Sequence, residues 1–197
     1  MNNIRYASIR NLDISNGEGI GVALFVQGCH FHCYNCFNTE TWDFNGGKEW
    51  TQETKNKFIK LIDRPYINRI SVLGGEPLAE QNLDEVLSLI KEIRISFPEK
   101  TIWLYTGYKL ELLSEEIYNS TKQICTISHF YTIPNKTEFA ENQAKRREII
   151  ELCNIVVDGE YIDEQKDLTL KWRGSSNQRV IDVQKSLAQN KIVLYCD

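Results

Sequence analysis

Three cysteines lie within one short segment of the chain, and their types and spacing suit a metal centre. Cys29, Cys33 and Cys36 form the pattern C-x3-C-x2-C shortly after an apolar run. Thiolate sulfur is a soft ligand that favours zinc and iron–sulfur clusters. Three thiolates without a fourth nearby would hold three irons of a cubane cluster and leave the fourth iron open. The segment therefore predicts an iron–sulfur cluster with one iron free to bind a substrate.

Zinc is the alternative metal for this segment, with His30 or His32 as the fourth ligand. Structural zinc sites usually draw on two separated pairs of ligands, and the sequence contains no second pair. Both histidines also lie inside the loop, where reaching the same ion is sterically difficult. We therefore expect them to be exposed side chains rather than ligands. A zinc-binding interaction module without catalysis remains the alternative from a different functional class.

The other cysteines, Cys125, Cys153 and Cys196, are scattered along the chain. Each is expected to be a small buried side chain or a free thiol. The N-terminus lacks the apolar core of a signal peptide, and no apolar run approaches the roughly 20 residues of a membrane span. These features predict a cytoplasmic protein, a compartment in which disulfides are rare.

The 197 residues carry a net charge of −4, which gives no global support for binding nucleic acid or an anionic membrane. The densest basic cluster is Lys145-Arg146-Arg147. Because it lies in a charged helical stretch, we expect it to form a solvated helix face. The length suits one domain with its own core, and we expect a single domain over residues 1–197.

Predicted strands and helices alternate along the chain. The helix that contains Leu83 is the clearest, because its apolar residues follow the i, i+3, i+4, i+7 pattern. An earlier helix is expected to have Thr51 as its N-cap. Such alternation implies βαβ units, an α/β fold and a mostly parallel sheet. Strands are expected at Ile20–Val26, Arg69–Leu73, Thr101–Tyr105, Ile124–Ser128, Asn154–Val157 and Ile192–Tyr195. Helices are expected at Thr51–Asp63, around Leu83–Ile93, at Lys109–Tyr118 and Glu138–Leu152, and around Val180–Leu187, with a loop at Tyr131–Phe139.

Four segments with unusual residues directly follow predicted strands. Parallel sheets place their ligand sites at the carboxyl ends of the strands, so these segments should converge on one edge of the sheet and form one site. The glycine-rich stretch Asn16–Gly21 precedes a strand instead and does not predict a nucleotide-binding loop. The four segments are the Cys loop (residues 28–38), the Glu76 turn (Gly74-Gly75-Glu76-Pro77), Thr106-Gly107 and Asp158-Gly159; the last two are equally consistent with simple turns.

The cysteine spacing resembles that of the radical S-adenosylmethionine (radical SAM) superfamily. Further segments narrow the resemblance to the activating proteins of anaerobic (class III) ribonucleoside-triphosphate reductase. The similar region runs from about Ile14 to Val180, and Trp172–Gln178 (WRGSSNQ) is its most family-specific part. The other segments that carry the resemblance are Gly28-Cys29, Cys36-Phe37-Asn38, Trp42, Gly74–Pro77, Trp103, Thr106-Gly107-Tyr108 and Val157-Asp158-Gly159.

The resemblance implies an open partial (β/α) barrel with a [4Fe–4S] cluster at the carboxyl ends of its strands. It implies that Cys29, Cys33 and Cys36 each hold one iron and that the fourth iron binds S-adenosyl-L-methionine. One electron from the cluster would then release a 5′-deoxyadenosyl radical, which takes a hydrogen atom from a backbone glycine of the reductase. The implied partners are the reductase and a flavodoxin or ferredoxin as electron donor.

The resemblance also assigns residues to the cofactor. Gly74, Gly75 and Glu76 are expected at its methionine end, since glycine permits close approach of the backbone and a carboxylate can receive an ammonium group. Asn35, Cys36 and Phe37 are expected near adenine, although Phe37 equally suits a core position. Residues of the WRGSSNQ segment could position the cofactor or meet the reductase; alternatively, Ser175 or Ser176 caps a following helix. These segment residues are Arg173, Ser175, Ser176, Asn177 and Gln178.

The chain departs from the family pattern in three places. Asn35 stands where many members of the superfamily have an aromatic residue. Relatives often have a proline and an arginine within Asn16–Gly21, where this chain has Glu18 and Gly21, and the stretch Ser120–Glu141 is longer than is typical.

The alternative function within the same class is that of an activating enzyme for another glycyl radical enzyme, of the pyruvate formate-lyase type.

Overall fold

The computed structural model describes residues 4–112 and 136–196. Within them, eight strands form one open sheet: β1 (Arg5–Asp13), β2 (Gly21–Val26), β3 (Lys48–Glu49), β4 (Arg69–Gly74), β5 (Thr101–Thr106), β6 (Ile155–Asp158), β7 (Arg179–Asp182) and β8 (Leu194–Cys196). Their order in the sheet is β3-β1-β2-β4-β5-β6-β7-β8.

The sheet is mixed rather than parallel throughout. Its four central strands, β2, β4, β5 and β6, are parallel. The two strands on either side of them pair antiparallel. The α/β prediction is confirmed, and the predicted parallel arrangement is right for the centre of the sheet and wrong for its edges.

The described helices follow the predicted βαβ pattern. They are α1 (Gln52–Ile62), α2 (Leu83–Ser96), α3 (Lys136–Glu151) and α4 (Val183–Gln189), with short 3-10 turns at Thr39–Thr41, Leu110–Leu112 and Asp163–Gln165. The Thr51 hydroxyl accepts the N–H of Thr54 at 3.2 Å, so Thr51 caps α1 as predicted. In the two described ranges, none of the helices has the length and apolar character to span a bilayer.

Alternation of side chains along the strands divides the core between the two faces of the sheet. Val22 and Leu24 of β2 join the large core beneath the helices, whereas Ala23 and Phe25 point to the opposite face. Trp103 of β5 lies on that opposite face in a smaller cluster, against which Trp172 packs. Both faces of the central strands are therefore covered, which explains why most of their residues are apolar and buried.

The C-terminal region differs most from its prediction. Val180 lies in the short strand β7, in which Val180 and Ile181 face opposite sides of the sheet. The helix begins only at Val183. The side chain of Asp182 accepts the N–H of Lys185 at 3.0 Å and caps α4. The prediction that Ser175 or Ser176 caps this helix is therefore wrong.

The region between β5 and β6 is described only in part. Within Lys109–Tyr118, where a helix is predicted, Leu110–Leu112 form a short 3-10 turn. Helix α3 begins at Lys136, so the end of the predicted Tyr131–Phe139 loop is helical. The rest of these two predictions, the Ile124–Ser128 strand, Cys125 and most of the Ser120–Glu141 stretch lie outside the described residues.

A buried ion pair closes the end of the sheet where the central strands begin. Arg69 is 0% exposed, and its guanidinium pairs with the Asp13 carboxylate at 2.8 Å. It also donates to the carbonyl oxygens of Asp13 and Glu18, at 2.8 and 3.2 Å. Gly21 has no side chain to displace the guanidinium, since a Cβ there would lie 2.7 Å from the Arg69 Cζ.

This pair makes stability depend on pH. Burial would raise the pKa of Asp13, but hydrogen bonds from Arg69 and Asn16 and the Arg69 charge outweigh burial and lower the pKa. The stabilisation is therefore present above the ordinary pKa of about 4 and is lost as pH falls through the lower folded pKa. Asp13→Asn should lower the free energy of unfolding by about 3 kcal/mol at neutral pH, because Arg69 stays buried without a counterion.

Urea unfolding of the cluster-free protein over a pH series measures this effect. The difference between the wild type and Asp13→Asn should shrink below about pH 4. A difference that does not vary with pH would contradict the assignment. Glu53→Gln is the matched control, because the Glu53–Lys57 ion pair on α1 is exposed and such pairs contribute little.

Candidate cluster site

The Cys loop begins at a residue that must be glycine. Gly28 has a φ of 93°, and a Cβ there would overlap the ring of Phe44. Its N–H donates to the carbonyl of Thr41 at 2.8 Å, and the N–H of Cys29 donates to the carbonyl of Trp42 at 3.0 Å. The start of the loop is thus fixed to the segment that follows it.

The three cysteines of the loop are free and half-buried. The N–H of Cys36 donates to the carbonyl of Cys33 at 3.1 Å, and the N–H of Asn38 donates to the Cys36 Sγ at 3.4 Å. Burial raises the pKa of Cys29 to about 11 and also raises the pKa of Cys33, while nearby N–H groups oppose both shifts. Three free sulfurs with N–H donors around them fit the thiolate ligands of an iron–sulfur cluster.

A single metal ion, such as zinc, would need several ligand side chains directed at one point. Within residues 4–112 and 136–196, no three Cys, His, Asp or Glu side chains are arranged to hold one ion. A cubane cluster does not need such convergence, since each of the three sulfurs binds its own iron.

The Glu76 turn lies directly against the Cys loop. The N–H of Gly75 donates to the carbonyl of Val26 at 2.9 Å, and the N–H of Glu76 donates to the carbonyl of Gly28 at 2.7 Å. Gly74 has a φ of 105°, and a Cβ on Gly75 would overlap the carbonyl oxygen of Gly28 in the Cys loop. The glycines are thus needed for close approach of the two loops, and the predicted meeting of these segments is confirmed.

The Glu76 side chain binds the neighbouring loop of the same edge. It is 2% exposed, and its carboxylate accepts hydrogen bonds from the Thr106 hydroxyl at 2.9 Å and from the N–H groups of Gly107 and Leu78, both at 2.8 Å. Burial raises the pKa of Glu76 to about 7, while these donors and the Arg146 charge oppose the rise. The carboxylate therefore fixes the ends of β4 and β5 relative to each other.

The ends of β5 and β6 complete the edge. A Cβ on Gly107 would lie 2.6 Å from the ring of Phe31 in the Cys loop, and the N–H of Gly159 donates to the carbonyl of Tyr108 at 3.2 Å. The Asp158 carboxylate accepts the N–H of Leu110 at 2.9 Å and pairs with Arg179. All four predicted segments meet, and Asp158 serves this local network rather than facing the cysteines.

The second half of the Cys loop packs against the 160–178 segment (residues 160–178). Asn35 has a φ of 54°, and its amide donates to the Asp163 carboxylate at 2.9 Å. Tyr161 donates to the same carboxylate at 2.6 Å. The Phe37 ring, which is 54% exposed, lies 5.1 Å from the Tyr161 ring. Sequence reasoning missed Tyr161 and Asp163, although their position just after Gly159 places them at the same edge.

Comparison with known proteins agrees with this geometry. Residues 15–181 match the family model described as a 4Fe-4S single cluster domain. The chain is 35% identical over 179 residues to the anaerobic ribonucleoside-triphosphate reductase-activating protein of Salmonella typhimurium strain LT2, covering 90% of this chain and 97% of that protein. The proteins of the same name from Escherichia coli K12 and Enterobacteria phage T4 are 34% and 32% identical over 179 residues, covering 90% of this chain and 97% and 93% of those proteins.

The chain belongs to the family of anaerobic ribonucleoside-triphosphate reductase-activating proteins. The family resemblance seen in the sequence is confirmed. Because the matching domain is a 4Fe-4S domain, the iron–sulfur interpretation of the Cys loop is preferred to zinc.

In this member of the activating-protein family, the WRGSSNQ segment forms hydrogen bonds within itself and, more of them, with residues 159–167. The Gln178 amide oxygen accepts the N–H of Gly174 at 2.9 Å and that of Ser175 at 3.2 Å, and Asn177 donates to the carbonyl of Glu160 at 2.8 Å. A Cβ on Gly174 would lie 2.9 Å from the Phe37 ring. The segment therefore supports the Cys loop through Phe37, while Ser176 is exposed. The buried Arg173 Nε has no hydrogen-bond partner among the described residues.

The two histidines have separate roles in packing. The exposed His32 stacks on Trp42 with ring centroids 4.6 Å apart. His30 is half-buried rather than exposed, and its Nε2 lies 3.2 Å from the Tyr108 hydroxyl. Both histidines and Cys29 are among the residues that line an open cavity of about 550 Å³. The prediction of exposed side chains is thus right for His32 and wrong for His30.

Of the remaining cysteines, Cys153 is fully buried and its thiol donates to the carbonyl of Ile149 at 3.1 Å. Cys196 is half-buried and free. These placements agree with the two roles expected for them.

Replacing Asn35 by Ala should loosen the Cys loop. The change removes the hydrogen bond to Asp163 and a residue type that tolerates the left-handed backbone. Iron release to a chelator should become about fivefold faster, the effect of one net hydrogen bond. Tyr34→Ala is the control, because Tyr34 is 74% exposed on the same loop. Equal release rates for Asn35→Ala and the wild type would contradict this role of Asn35.

Proposed function

We propose that the protein activates an anaerobic ribonucleoside-triphosphate reductase by installing a glycyl radical on it. The observation that carries the proposal is the contact between the Glu76 turn and a loop with three free cysteines, in a chain of the activating-protein family. When bound, a [4Fe–4S] cluster and S-adenosyl-L-methionine together supply the 5′-deoxyadenosyl radical that takes a hydrogen atom from the reductase glycine.

In this proposal Cys29, Cys33 and Cys36 hold the cluster. The N–H donors around their sulfurs stabilise the thiolate form that metal binding requires. The half-buried position of the three sulfurs keeps part of the site away from water while leaving one side accessible.

The proposed residues for S-adenosyl-L-methionine lie on both sides of the cysteines. Gly74, Gly75 and Glu76 would receive its methionine end, where the glycines leave the backbone accessible. The Glu76 carboxylate uses three of its roughly four acceptor positions on Leu78, Thr106 and Gly107, which leaves one for an ammonium group. Asn35, Cys36 and Phe37 would lie near adenine, with Asn35 contributing backbone because Asp163 engages its amide.

The remaining parts of the proposal concern architecture and partners. The protein would be a single radical SAM domain over residues 1–197, with its sheet as an open partial barrel, and would act in the cytoplasm.

The reductase would cover the Cys loop, where Tyr34 and Phe37 expose aromatic rings, since a reactive alkyl radical needs a site without competing hydrogen donors. A flavodoxin or ferredoxin would supply the electron.

Electron paramagnetic resonance tests the proposal. The anaerobically reconstituted and reduced protein should produce a glycyl radical on an anaerobic ribonucleoside-triphosphate reductase when S-adenosyl-L-methionine is added. A radical formed only on a pyruvate formate-lyase-type partner would support the other activating-enzyme class. Bound zinc without iron–sulfur absorption or 5′-deoxyadenosine formation would overturn the enzymatic proposal.

A further inference from the structure

Arg146 has a different environment from the one that its sequence predicts. The Lys145-Arg146-Arg147 cluster is expected to be a solvated helix face, but the Arg146 side chain is only 4% exposed. Arg146 lies on α3, which packs against α2, and its guanidinium contacts two loops of the cluster site. Nothing in the periodicity of α3 distinguishes it from its basic neighbours.

The first contact is with Leu78, directly after the Glu76 turn. The Arg146 Nε donates to the carbonyl of Leu78 at 2.9 Å, and the N–H of Leu78 donates to the Glu76 carboxylate at 2.8 Å. The guanidinium also donates to the Gln143 amide oxygen on its own helix at 3.0 Å, which restricts its orientation. Arg146 therefore supports the turn through the residue that directly follows it.

The second contact leads to the Cys loop. The Arg146 guanidinium lies over the Tyr108 ring, 5.0 Å from its centroid, a distance typical of a cation–π interaction. The Tyr108 hydroxyl lies 3.2 Å from the His30 Nε2, and the Phe31 ring meets the Tyr108 ring edge-on at 5.1 Å. Since His30 follows Cys29 directly, Arg146 is connected to a cluster ligand through two side chains.

The charge of Arg146 is incompletely compensated by the protein. Burying a cation is costly unless an anion pairs with it. Among the described residues, the one carboxylate in ion-pair range is Glu80, at 3.9 Å and on an exposed side chain; the buried Glu76 carboxylate interacts with the guanidinium from beyond that range. A [4Fe–4S] core held by three thiolates has a negative net charge, which becomes larger on reduction. A cluster held by Cys29 would therefore attract this buried guanidinium across Tyr108 and His30.

We propose that Arg146 is a positioning residue of the cluster site. It supports the Glu76 turn through Leu78 and the Cys29 half of the Cys loop through Tyr108 and His30, and its charge favours the reduced state of the cluster. The inference rests on the proposed function, because it requires the cluster and S-adenosyl-L-methionine to bind at these loops.

Four variants separate the contributions of charge, shape and hydrogen bonding. Arg146→Met keeps an unbranched apolar stem and removes the charge, whereas Arg146→Lys keeps the charge without the planar fork of donors. Tyr108→Phe keeps the ring and removes the hydroxyl that meets His30. Lys145→Met is the matched control, because it removes the neighbouring cation of α3, which pairs with Asp84 on α2 at 2.5 Å.

Two measurements on the anaerobically reconstituted proteins test the proposal: the midpoint potential of the cluster and the affinity for S-adenosyl-L-methionine. Arg146→Met should shift the potential to a more negative value and weaken binding about tenfold, as expected for loss of charge-assisted hydrogen bonds. Arg146→Lys should keep the potential and weaken binding. Tyr108→Phe should keep the potential and weaken binding about threefold, and Lys145→Met should change neither quantity.

The outcomes distinguish this inference from the proposed function. A wild-type protein that holds no iron–sulfur cluster would overturn both. If the wild type binds the cluster and the cofactor, an unchanged potential in Arg146→Met, or an equal shift in Lys145→Met, would overturn the role of Arg146 alone. If Arg146→Met does not fold, unchanged cofactor affinity in both Arg146→Lys and Tyr108→Phe would overturn it.

Discussion

Replacing Cys29, Cys33 or Cys36 by Ala should reduce cleavage of S-adenosyl-L-methionine to background. In the proposed site each sulfur holds a different iron, so the loss of one cannot be compensated by the other two. The replacements should also reduce the iron and sulfide content after anaerobic reconstitution. We expect at least about a hundredfold loss of 5′-deoxyadenosine formation, since even removal of a residue that only supports a metal ligand costs 10- to 100-fold.

The other described cysteines provide the controls for this experiment. Cys153→Ala alters a fully buried thiol whose hydrogen bond stays within α3 and its C-terminal end. Cys196→Ala alters a half-buried thiol on the edge strand β8. Both variants should keep the iron content and the cleavage activity of the wild type. A Cys29, Cys33 or Cys36 variant with full cleavage would remove that cysteine from the ligand set.

The centre of the fold could be predicted because its strands are buried on both faces. β2 is a continuous apolar run, and β4 is apolar apart from Arg69 and Ser71. Helices α1 and α2, which lie between parallel strands, have clear apolar periodicity. β1 was not predicted, because its antiparallel pairing near the edge of the sheet leaves many of its residues exposed. β7 has only four residues, so its alternation is too short to be distinguished from the first turn of the following helix.

The cluster site could be predicted only where chemistry fixes the residue type. Thiolates at a set spacing and glycines at a close approach are visible in the sequence itself. The residues that support them cannot be recognised in this way, because their partners are distant in sequence. Asn35 and Asp163 are 128 positions apart. Arg146 differs from its basic neighbours only in the direction in which its position on α3 points its side chain. Tertiary packing, rather than local pattern, assigns these roles.

Replacing Glu76 by Ala should destabilise the protein and prevent cofactor binding together. The buried carboxylate accepts three hydrogen bonds, from Thr106, Gly107 and Leu78. Its removal would leave these donors without partners in a region where water has little access, at a cost of about 3 kcal/mol in the free energy of unfolding. The ends of β4 and β5 would then lose their fixed relation, and binding of S-adenosyl-L-methionine should become undetectable.

Two further variants separate support of the loops from contact with the cofactor. Glu76→Gln keeps the size of the side chain but places an amide N–H₂ against one of the three donors, so it should recover only part of the stability. Thr106→Val removes one donor and leaves the carboxylate with a second open acceptor position. If Glu76 receives the ammonium group of the cofactor, Thr106→Val should keep cofactor affinity while Glu76→Gln loses it, as measured by binding isotherms on the reconstituted proteins. Equal losses in both variants would assign Glu76 to support of the loops alone, because then the intact hydrogen-bond network, rather than the carboxylate charge, would determine affinity.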